Sequence, residues 1–592
     1  MHQFFGFNEF KPLQKKSIEA ILSKRDLLTI LPTGGGKSLC YQLPAIMQKS
    51  ELTIVISPLI ALINDQIINL RNNNIQADKL TSELNEHQMQ EVYEKIRNKQ
   101  ISLLYVSPER AVMGSFKQLL RHNAVSFIVI DEAHCVSEWG HEFRFDYRKL
   151  HYLKEEFPHI PIAAFTATAT DLVAKDIIKS LKLNNPVLLK GSFFRKNLLL
   201  SAKKRQGNGR VTLLKFLEAY QNESGIIYTF TRKESEALAL FLQSKHLKAK
   251  AYHAGISSEE RHAIQSAFIK DETKIIVATI AFGMGIDKSN VRFVVHMDLP
   301  KSIESYYQEI GRAGRDGLKS ACLLLYSRGD VTRKSELLES IEDERYKNLA
   351  KNKIEALYHY ASATQCRHKI LVNYFEEEME DCLSSCDNCK KEPHEAIDIT
   401  REAQMFLSAM YRSNQSFGHA YIIDILRGAR GKKLLDNHHD TLSVYGIGKS
   451  ISKQSWELIV DALFEHNAIK RGEYRELLIT SRGRDILKGS AKVSVRDEIF
   501  ASEKEDNLNQ EVTIKDENFE ALRALRTKIA KEINLPAYVV FSDATLKEMA
   551  QKLPHDSDAL LQINGVGPSK LEKYGTQFLQ KIQEIRTHHE KE

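Results

Sequence analysis

The sequence predicts a multidomain α/β protein with two parallel-sheet lobes, a helical platform, a winged helix and a small all-α C-terminal domain. Short apolar runs alternate with polar helical stretches twice, from Leu27 to Leu189 and again from Ser224 to Tyr326. This alternation is typical of parallel sheets with crossover helices. Residues 400–490 show three helical patterns and then a short alternating hairpin, an order typical of a winged helix.

The same patterns predict the domain boundaries. Lobe one is expected at residues 1–194 and lobe two at residues 195–330. The platform follows at 331–398, the winged helix at 399–492, a linker at 493–515 and the terminal domain at 516–592. Between the lobes, Arg195–Arg210 holds six basic and no acidic residues, which predicts a hinge strand and linker; a solvated stretch and a DNA contact both stay open. The simplest interpretation of the acidic run Glu376–Asp381 is a solvated segment.

Composition excludes several classes of protein. With 592 residues, 42% hydrophobic and 27% charged, the chain can form several hydrophobic cores, so it is neither a lone small module nor disordered or fibrous. No apolar run is long enough for a membrane helix, and the first residues lack the apolar core of a signal peptide. We therefore expect the protein in the cytoplasm, at the nucleoid if the source is bacterial, with no membrane partner.

The net charge is compatible with a nucleic-acid partner, and the excess of basic residues is concentrated in one region of the chain. The 84 basic and 77 acidic residues leave a net charge of +7. Residues 400–490 contain 14 Lys/Arg and 10 Asp/Glu, a surplus of four, whereas residues 516–592 contain 11 and 12. The predicted winged helix is thus the more suitable surface for phosphates.

A glycine-rich turn follows the first strand of lobe one. The turn and the start of the next helical pattern comprise Pro32, Thr33, Gly34, Gly35, Gly36, Lys37 and Ser38. Backbone N–H groups of such a turn can surround phosphate oxygens at a helix N-terminus, with Lys37 reaching the β and γ phosphates and Ser38 binding magnesium. The strict P-loop pattern requires a glycine where this chain has Leu31. A glycine-rich turn without a ligand is the alternative for this segment alone.

Two further segments complete a predicted ATP site. Strand FIVID ends in Asp131 and Glu132, at the sheet edge where ligands bind. Asp131 would hold Mg²⁺ through water and Glu132 would deprotonate the attacking water; a helix N-cap is the alternative. In lobe two, one segment contains Gln308, Gly311, Arg312, Gly314 and Arg315. One of its arginines can stabilise charge on the γ phosphate, and a surface helix is the alternative.

These motifs resemble those of superfamily two helicases, and CVSEWGHEFR (Cys135–Arg144) narrows the resemblance to the RecQ family. Further matching stretches are FGFNEFKPLQ, SPLIALINDQ, YVSPER, the TAT of residues 166–168, and ATIAFGMGIDK. The resemblance covers nearly the whole chain. It implies two RecA-like lobes, a helical zinc-binding platform, a winged helix and a terminal HRDC-like domain. It also implies ATP-driven unwinding of duplex DNA, with 3′ to 5′ polarity, in DNA repair, recombination and replication.

The resemblance also assigns an adenine-binding box to the N-terminal segment. The box falls on Phe7, Lys11 and Gln14, with Gln14 at the adenine edge and the aromatic ring stacked on the base. The family commonly has Tyr and Arg where this chain has Phe7 and Lys11. Asp287, in the stretch Ala278–Lys288, is assigned to the nucleotide site as well.

The segment after the carboxylates is a candidate DNA contact. Trp139 and Phe143 offer aromatic faces, and Arg144 offers a cation, on which a single strand could stack. A buried anchoring tryptophan is the alternative. The resemblance implies that this loop couples DNA binding to ATP hydrolysis.

The clustered cysteines predict a structural zinc site. Cys366, Cys382, Cys386 and Cys389 have 15, three and two residues between successive members. Four thiolates form the tetrahedral set that Zn²⁺ prefers, with no open position for catalysis. RecQ proteins usually have two residues where Cys382 and Cys386 are separated by three. A redox pair of Cys386 and Cys389 is the alternative.

The C-terminal half offers weaker candidates. In the winged helix a basic cluster, suited to duplex phosphates or simply solvated, contains Arg427, Arg430, Lys432 and Lys433. Tyr474 lies on the short predicted wing, where some RecQ relatives carry a strand-separating aromatic residue. Gly565–Gly567 could present N–H groups to a phosphate or form a protein-docking surface. Protein partners such as a single-stranded DNA-binding protein could use either domain.

Together these features predict an ATP-dependent DNA helicase of the RecQ type that requires ATP, Mg²⁺ and Zn²⁺. One alternative is an RNA helicase or a translocase that does not unwind. Another is a DNA-binding scaffold with an inactive motor, which the presence of Lys37, Asp131, Glu132 and Arg315 disfavours.

Overall fold

The computed structural model describes most of the chain. The described residues are 1–6, 8–48, 50–137, 144–279, 282, 288–390, 396–466, 468–472, 476–496, 517–533 and 535–589. Among them, no helix is both long enough and apolar enough to cross a membrane.

Lobe one is built on a seven-stranded sheet. Its strands are β1 (Leu27–Ile30), β2 (Leu52–Ile56), β3 (Ala77–Leu80), β4 (Leu103–Val106), β5 (Val125–Ile130), β6 (Ile162–Thr166) and β7 (Val187–Lys190). They pair in parallel in the order β3-β4-β2-β5-β6-β1-β7. The central strands are buried along their length, because helices cover both faces. These helices are α1 (His2–Phe5), α2 (Gln14–Leu22), α3 (Lys37–Met47), α4 (Ile60–Asn72), α5 (Glu86–Arg97), α6 (Pro108–Ala111), α7 (Gly114–His122), α8 (Phe145–Arg148), α9 (Tyr152–Glu156) and α10 (Asp171–Ser180).

Lobe two repeats the architecture with six strands. They are β8 (Leu198–Lys204), β9 (Ser224–Tyr228), β10 (Ala249–Tyr252), β11 (Ile275–Ala278), β12 (Val291–His296) and β13 (Ser320–Tyr326), all parallel in the order β10-β11-β9-β12-β13-β8. Its helices are α11 (Arg210–Leu217), α12 (Arg232–Ser244), α13 (Ser258–Ile269) and α14 (Ile303–Ile310). Half of the predicted basic linker is therefore the edge strand β8, and only residues 191–197 join the two sheets.

The helical platform packs on that edge strand. It contains α15 (Arg328–Leu337), α16 (Glu344–Ser362), α17 (Arg367–Tyr374) and α18 (Asp387–Lys390). The N–H of Leu200 in β8 donates to the Ser385 carbonyl at 3.0 Å, so the cysteine segment extends the sheet of lobe two. The expectation of a merely solvated acidic run is wrong for two of its residues. Glu376 accepts a hydrogen bond from the N–H of Asp171 at 2.7 Å, and Glu377 bonds residues 192 and 193.

The winged helix has a core of its own. Its elements are β14 (Ala396–Asp398), α19 (Thr400–Arg412), α20 (His419–Arg427), α21 (Lys432–Asp436), α22 (Lys453–Glu465), β15 (Ile469–Arg471), β16 (Leu477–Ile479), α23 (Ser481–Leu487) and β17 (Ser494–Arg496). Strands β15 and β16 form the predicted hairpin, and β14 pairs with β17. Trp456 is fully buried, and its indole N–H donates to the Gly448 carbonyl at 3.1 Å.

Helix α22 of the winged helix packs against α16 of the platform. The Tyr358 hydroxyl donates to the carboxylate of Asp461 at 3.2 Å, and the rings of His359 and Phe464 lie 4.4 Å apart. Burial raises the pKa of Asp461 to about 7, although nearby Arg328 opposes the shift. The contact between the winged helix and the platform thus includes a partly buried carboxyl group.

The terminal domain is all-α, which completes the predicted fold class and confirms it. It contains α24 (Glu517–Glu532), α25 (Ala537–Val540), α26 (Asp543–Lys552), α27 (Ser557–Leu561), α28 (Pro568–Lys570), a π-helical turn (Leu571–Gly575) and α29 (Thr576–His589). The Gly565 N–H donates to the Gly6 carbonyl of lobe one at 3.0 Å, and Arg523 pairs with Glu223 of lobe two at 3.1 Å. The Gly565–Gly567 turn therefore docks on the chain's own N-terminal segment in this structure.

The partly buried Asp461 predicts a pH-dependent stability. Its pKa in the folded protein lies above the unfolded value of 3.8, so the proton on Asp461 stabilises the fold at low pH, and this contribution disappears as pH rises through about 7. Asp461→Asn, which cannot ionise, should stabilise the winged helix at pH 8 by on the order of 1–2 kcal/mol and less at pH 5. Thermal unfolding at both pH values measures this. Asp485→Asn, at an exposed carboxylate of the same domain, is the control, and a loss of stability at pH 8 in Asp461→Asn would contradict the assignment.

Candidate active site and metal centre

The glycine-rich turn lies between β1 and α3 and lines a cavity of about 420 Å³ between the two lobes. Gly34 and Gly36 have φ angles of +82° and +80°, in the left-handed region that favours glycine. A Cβ on Gly36 would overlap the side-chain nitrogen of Gln14, so a larger residue there would displace the Gln14 amide. Lys37 and Ser38, at the start of α3, both face the cavity.

Two residues of the predicted adenine box hold this turn in place. The Lys11 ammonium donates to the Gly34 carbonyl at 2.8 Å, and the Gln14 side chain donates to the Gly36 carbonyl at 3.1 Å. The Gln14 oxygen accepts the Lys11 N–H at 2.8 Å. These bonds occupy the outer carbonyls of the turn. Adenine recognition by Gln14 stays a prediction, and Phe7 lies outside the described residues.

The carboxylate pair lies at the end of β5 and faces the same cavity. Asp131 is buried, and burial together with the neighbouring Glu132 raises its pKa to about 7, while Lys37 opposes the shift. Glu132 adopts a left-handed φ of 49°, which turns the chain sharply after the strand. Such a non-glycine conformation costs energy and is often found at functional sites.

A polar chain connects Glu132 with lobe two. Its carboxylate lies 3.3 Å from the Nδ1 of His134, and that nitrogen lies 2.9 Å from the Thr166 hydroxyl. Burial alone would lower the pKa of His134, but Cys135 and Glu132 raise it to about 10. Two residues beyond Thr166, the Thr168 hydroxyl accepts a bond from Gln308 at 3.4 Å. The segment Thr166–Thr168 thus lies between the catalytic candidates of the two lobes.

The arginines predicted from lobe two reach the cavity from its opposite side. Gln308, Arg312 and Arg315 line it together with Lys37, Asp131 and Glu132. Arg312 is buried, and its Nε has no hydrogen-bond partner within the described part of the chain. The structure therefore brings together all six residues predicted to be catalytic, while Asp287 lies outside the described residues.

Sequence reasoning missed Arg195. This residue belongs to the segment between the sheets, and its guanidinium donates to backbone carbonyls of both lobes. The only sequence signal was the absence of acidic residues from Arg195–Arg210, because a cation without a local carboxylate must find other acceptors when it is partly buried.

The structure tests the predicted DNA contacts only in part. Trp139, Phe143 and Tyr474 lie outside the described residues. Arg144 donates to the Pro58 carbonyl at 2.9 Å and connects the end of the aromatic loop with the segment that precedes α4. The basic cluster of the winged helix is exposed at the turn between α20 and α21; its members are Arg427, Arg430, Lys432 and Lys433. The Lys433 ammonium lies 5.8 Å from the centre of the Tyr421 ring.

The four clustered cysteines converge on one point. Their sulfur atoms all lie within 4.8 Å of one another, including that of Cys382 with its unusual spacing. Tetrahedral zinc with Zn–S bonds of about 2.3 Å places its sulfurs about 3.8 Å apart, so the site fits this ion. The Cys366 sulfur accepts N–H groups from Lys369 and Cys382 at 3.5 and 3.3 Å, which favours a thiolate. The convergence of four sulfurs favours zinc over a pair of redox cysteines.

Family models match successive parts of the chain. In chain order they are described as DEAD/DEAH box helicase (residues 11–177), helicase conserved C-terminal domain (210–317), RecQ zinc-binding (328–390), RQC domain (393–504) and HRDC domain (515–582).

Curated relatives match over the full length. The chain is 42% identical to the ATP-dependent DNA helicase RecQ of Pasteurella multocida, over 100% of this chain and 94% of that protein. It is 42% identical to the protein of the same name from Haemophilus influenzae, over 98% of this chain and 94% of the relative. The chain is 39% identical to the Bacillus subtilis protein of that name, over 98% of this chain and 97% of the relative. Among solved structures, the chain is similar to the DEAD-box helicase Mss116 bound to single-stranded RNA, with 17% identity and a TM-score of 0.47 over 62% of this chain and 87% of that one.

Zinc should be needed for the platform to fold, because coordination energy in such a site is also folding energy. Metal analysis of the purified protein should give about one zinc per chain. Cys382→Ser should lose most of the metal and unfold the platform. His368 is a poor substitute, because its Nε2 already lies 3.0 Å from the Leu198 carbonyl. Retention of zinc and of the melting temperature in Cys382→Ser would contradict the four-cysteine site.

Proposed function

The chain belongs to the RecQ family of helicases, and we propose that it couples ATP hydrolysis to the unwinding of duplex DNA, moving 3′ to 5′. One observation carries this proposal: a single cavity between the lobes is lined by a phosphate-binding turn, a carboxylate pair and two arginines. Since the catalytic groups come from both lobes, ATP can drive closure of one lobe on the other.

The residues of the cavity divide the work of hydrolysis. Lys37 and the turn's N–H groups bind the phosphates, as expected at a helix N-terminus. Glu132 orients and deprotonates the attacking water, and His134, 3.3 Å away, holds that carboxylate in place. Arg312 and Arg315 stabilise the charge that develops on the γ phosphate.

Magnesium fits the oxygen donors at this site. Ser38 and Asp131 line the cavity, and a hydroxyl and a carboxylate are ligands that Mg²⁺ prefers. When bound, the ion neutralises charge on the β and γ phosphates. Burial of Asp131 next to Glu132 leaves the pair poorly solvated, so a cation there would relieve an unfavourable concentration of negative charge.

DNA would be sensed through the loop Cys135–Arg144. Only three residues separate Asp131 from Cys135, so a base stacked on Trp139 or Phe143 would shift the backbone that orients Glu132. The bond from Arg144 to Pro58 would carry the same displacement to the start of α4.

The C-terminal domains would engage the duplex. The exposed cations between α20 and α21, from Arg427 to Lys433, suit phosphate contacts, and Tyr474 is a candidate for separating the strands. Zinc bound by the four cysteines would have a structural role. The winged helix or the terminal domain could also bind a protein such as a single-stranded DNA-binding protein.

Strand displacement with ATP distinguishes the proposal from its rivals. The substrates are forked, 3′-tailed, 5′-tailed and RNA-containing duplexes, and we expect unwinding of the first two. Preference for the RNA-containing duplex would favour an RNA helicase. ATP hydrolysis without displacement would indicate a translocase, and binding without hydrolysis would indicate an inactive scaffold.

Lys37 and Glu132 should fail in different ways when changed. Lys37→Ala removes a phosphate ligand and should weaken ATP binding. Glu132→Gln should retain ATP binding but lower the turnover rate by on the order of 100-fold or more, because its role is exercised in the transition state. Equilibrium binding of ATP and steady-state hydrolysis measure the two effects. Near-normal hydrolysis by Glu132→Gln would overturn its assignment.

A further inference from the structure

The short segment 191–197, which joins the sheets of the two lobes, contains a residue that contacts both sides of the ATP cavity. We propose that Arg195 is a positioning residue for ATP hydrolysis, which sets the phosphate-binding turn and the arginine segment of lobe two in their mutual arrangement. This inference deepens the proposed function and rests on it.

The hydrogen bonds of Arg195 carry the proposal. One guanidinium nitrogen donates to the Thr33 carbonyl in the phosphate-binding turn. Another donates to the carbonyls of Ala313 and Gly314, at 3.3 and 3.0 Å, between the two candidate catalytic arginines. Because a guanidinium is a rigid planar fork, these bonds constrain both the separation and the orientation of the two backbone segments.

The two segments also approach each other directly. A Cβ on Gly34 would lie 3.5 Å from the Cα of Arg315, so one added carbon atom would already bring the turn into contact with the arginine segment. Asn197, two residues after Arg195, donates to the Gly314 and Leu318 carbonyls at 2.9 and 3.0 Å. The segment between the lobes therefore holds the backbone on both sides of Arg315.

Repulsion between neighbouring cations makes the arrangement around Arg195 sensitive to bound nucleotide. Burial lowers the pKa of Arg195, and the neighbouring Arg315 lowers that pKa further. Burial also lowers the pKa of Lys11, and the neighbouring Arg195 lowers it further. Positive charges are thus concentrated beside the cavity and repel one another. A polyphosphate between the lobes would offset this repulsion through Lys11 and Arg315, which line the cavity, while Arg195 keeps its bonds to the backbone carbonyls.

The platform fixes the other end of this segment. The Phe193 ring stacks on Phe375 of the platform with centroids 4.2 Å apart and an interplanar angle of 8°. Glu377 accepts the Ser192 hydroxyl at 2.6 Å and the Phe193 N–H at 2.7 Å. Arg195 is only two residues beyond Phe193, so its backbone has little freedom and its guanidinium is held in place before ATP binds.

A purely structural Arg195 makes different predictions. If the residue only joined the lobes, its loss would lower stability and reduce nucleotide binding and turnover together. A positioning residue affects the transition state more than the ground state. It should therefore lower kcat with little change in the KM for ATP, and weaken the complex with ADP and aluminium fluoride, which mimics the transition state, more than that with ADP.

The test compares full-length Arg195→Gln with the wild type and with Lys196→Gln. Lys196 is the neighbouring exposed cation, so its loss matches the change in charge. Measurements are melting temperature, kcat and KM for ATP without DNA, and affinities for ADP with and without aluminium fluoride. For Arg195→Gln we expect kcat to fall between about tenfold and 100-fold, KM to change by less than about threefold, and the aluminium fluoride complex to weaken in proportion to kcat. Lys196→Gln should behave as the wild type.

Wild-type kcat and aluminium fluoride affinity in Arg195→Gln would overturn the proposal, and so would a parallel loss of melting temperature, ADP affinity and kcat. If Arg195→Gln does not fold, Arg195→Lys decides: it keeps the charge but not the fork, so it should lower kcat at a near-normal melting temperature. Wild-type kcat in Arg195→Lys would then overturn the proposal. Absence of hydrolysis in the wild type would instead refute the proposed function.

Discussion

Side chains from two other segments hold the backbone of the glycine-rich turn between β1 and α3. A turn that offers its N–H groups to phosphates must place its carbonyls elsewhere, and those carbonyls need donors. Lys11, Gln14 and Arg195 supply them, from the N-terminal segment and from the junction of the lobes. The two glycines at positive φ permit this geometry, and a side chain at Gly36 would displace the Gln14 amide from the turn.

The additional domains contact the two lobes and the junction between them. The junction that contains Arg195 is packed against the platform through Phe375 and Glu377, and the platform extends the sheet of lobe two at Leu200. The winged helix rests on the platform, and the terminal domain contacts both lobes through Gly565 and Arg523. Each domain therefore touches an element that borders the ATP cavity or supports one that does.

The polar chain from Glu132 to Gln308 is a second connection between the two lobes, and it lies at the cavity. Glu132, His134, Thr166 and Thr168 belong to lobe one, and only the last contact, from Gln308, comes from lobe two. A change in the separation of the lobes would alter that contact. Hydrolysis and lobe movement can thus be coupled by a few hydrogen bonds rather than by a rearrangement of either sheet.

Local patterns in the sequence were enough to predict the fold class and the chemistry of the candidate site. Hydrophobic periodicity predicted both parallel sheets, and the positions of Lys37, Asp131, Arg312 and the four cysteines followed from local spacing, because a turn, a strand end or a metal knuckle is encoded by adjacent residues. Contacts between distant segments, by contrast, could be found only in the folded chain. The proposed role of Arg195 depends on the carbonyls of Thr33 and Gly314, which are more than 100 residues apart in the chain. The hydrogen bonds of Glu376 and Glu377 likewise depend on their contact with lobe one. Every residue has a backbone carbonyl, so the sequence does not show which carbonyls will accept a bond from a distant side chain. A charged side chain that binds such carbonyls therefore cannot be distinguished from a solvated one before the fold is known.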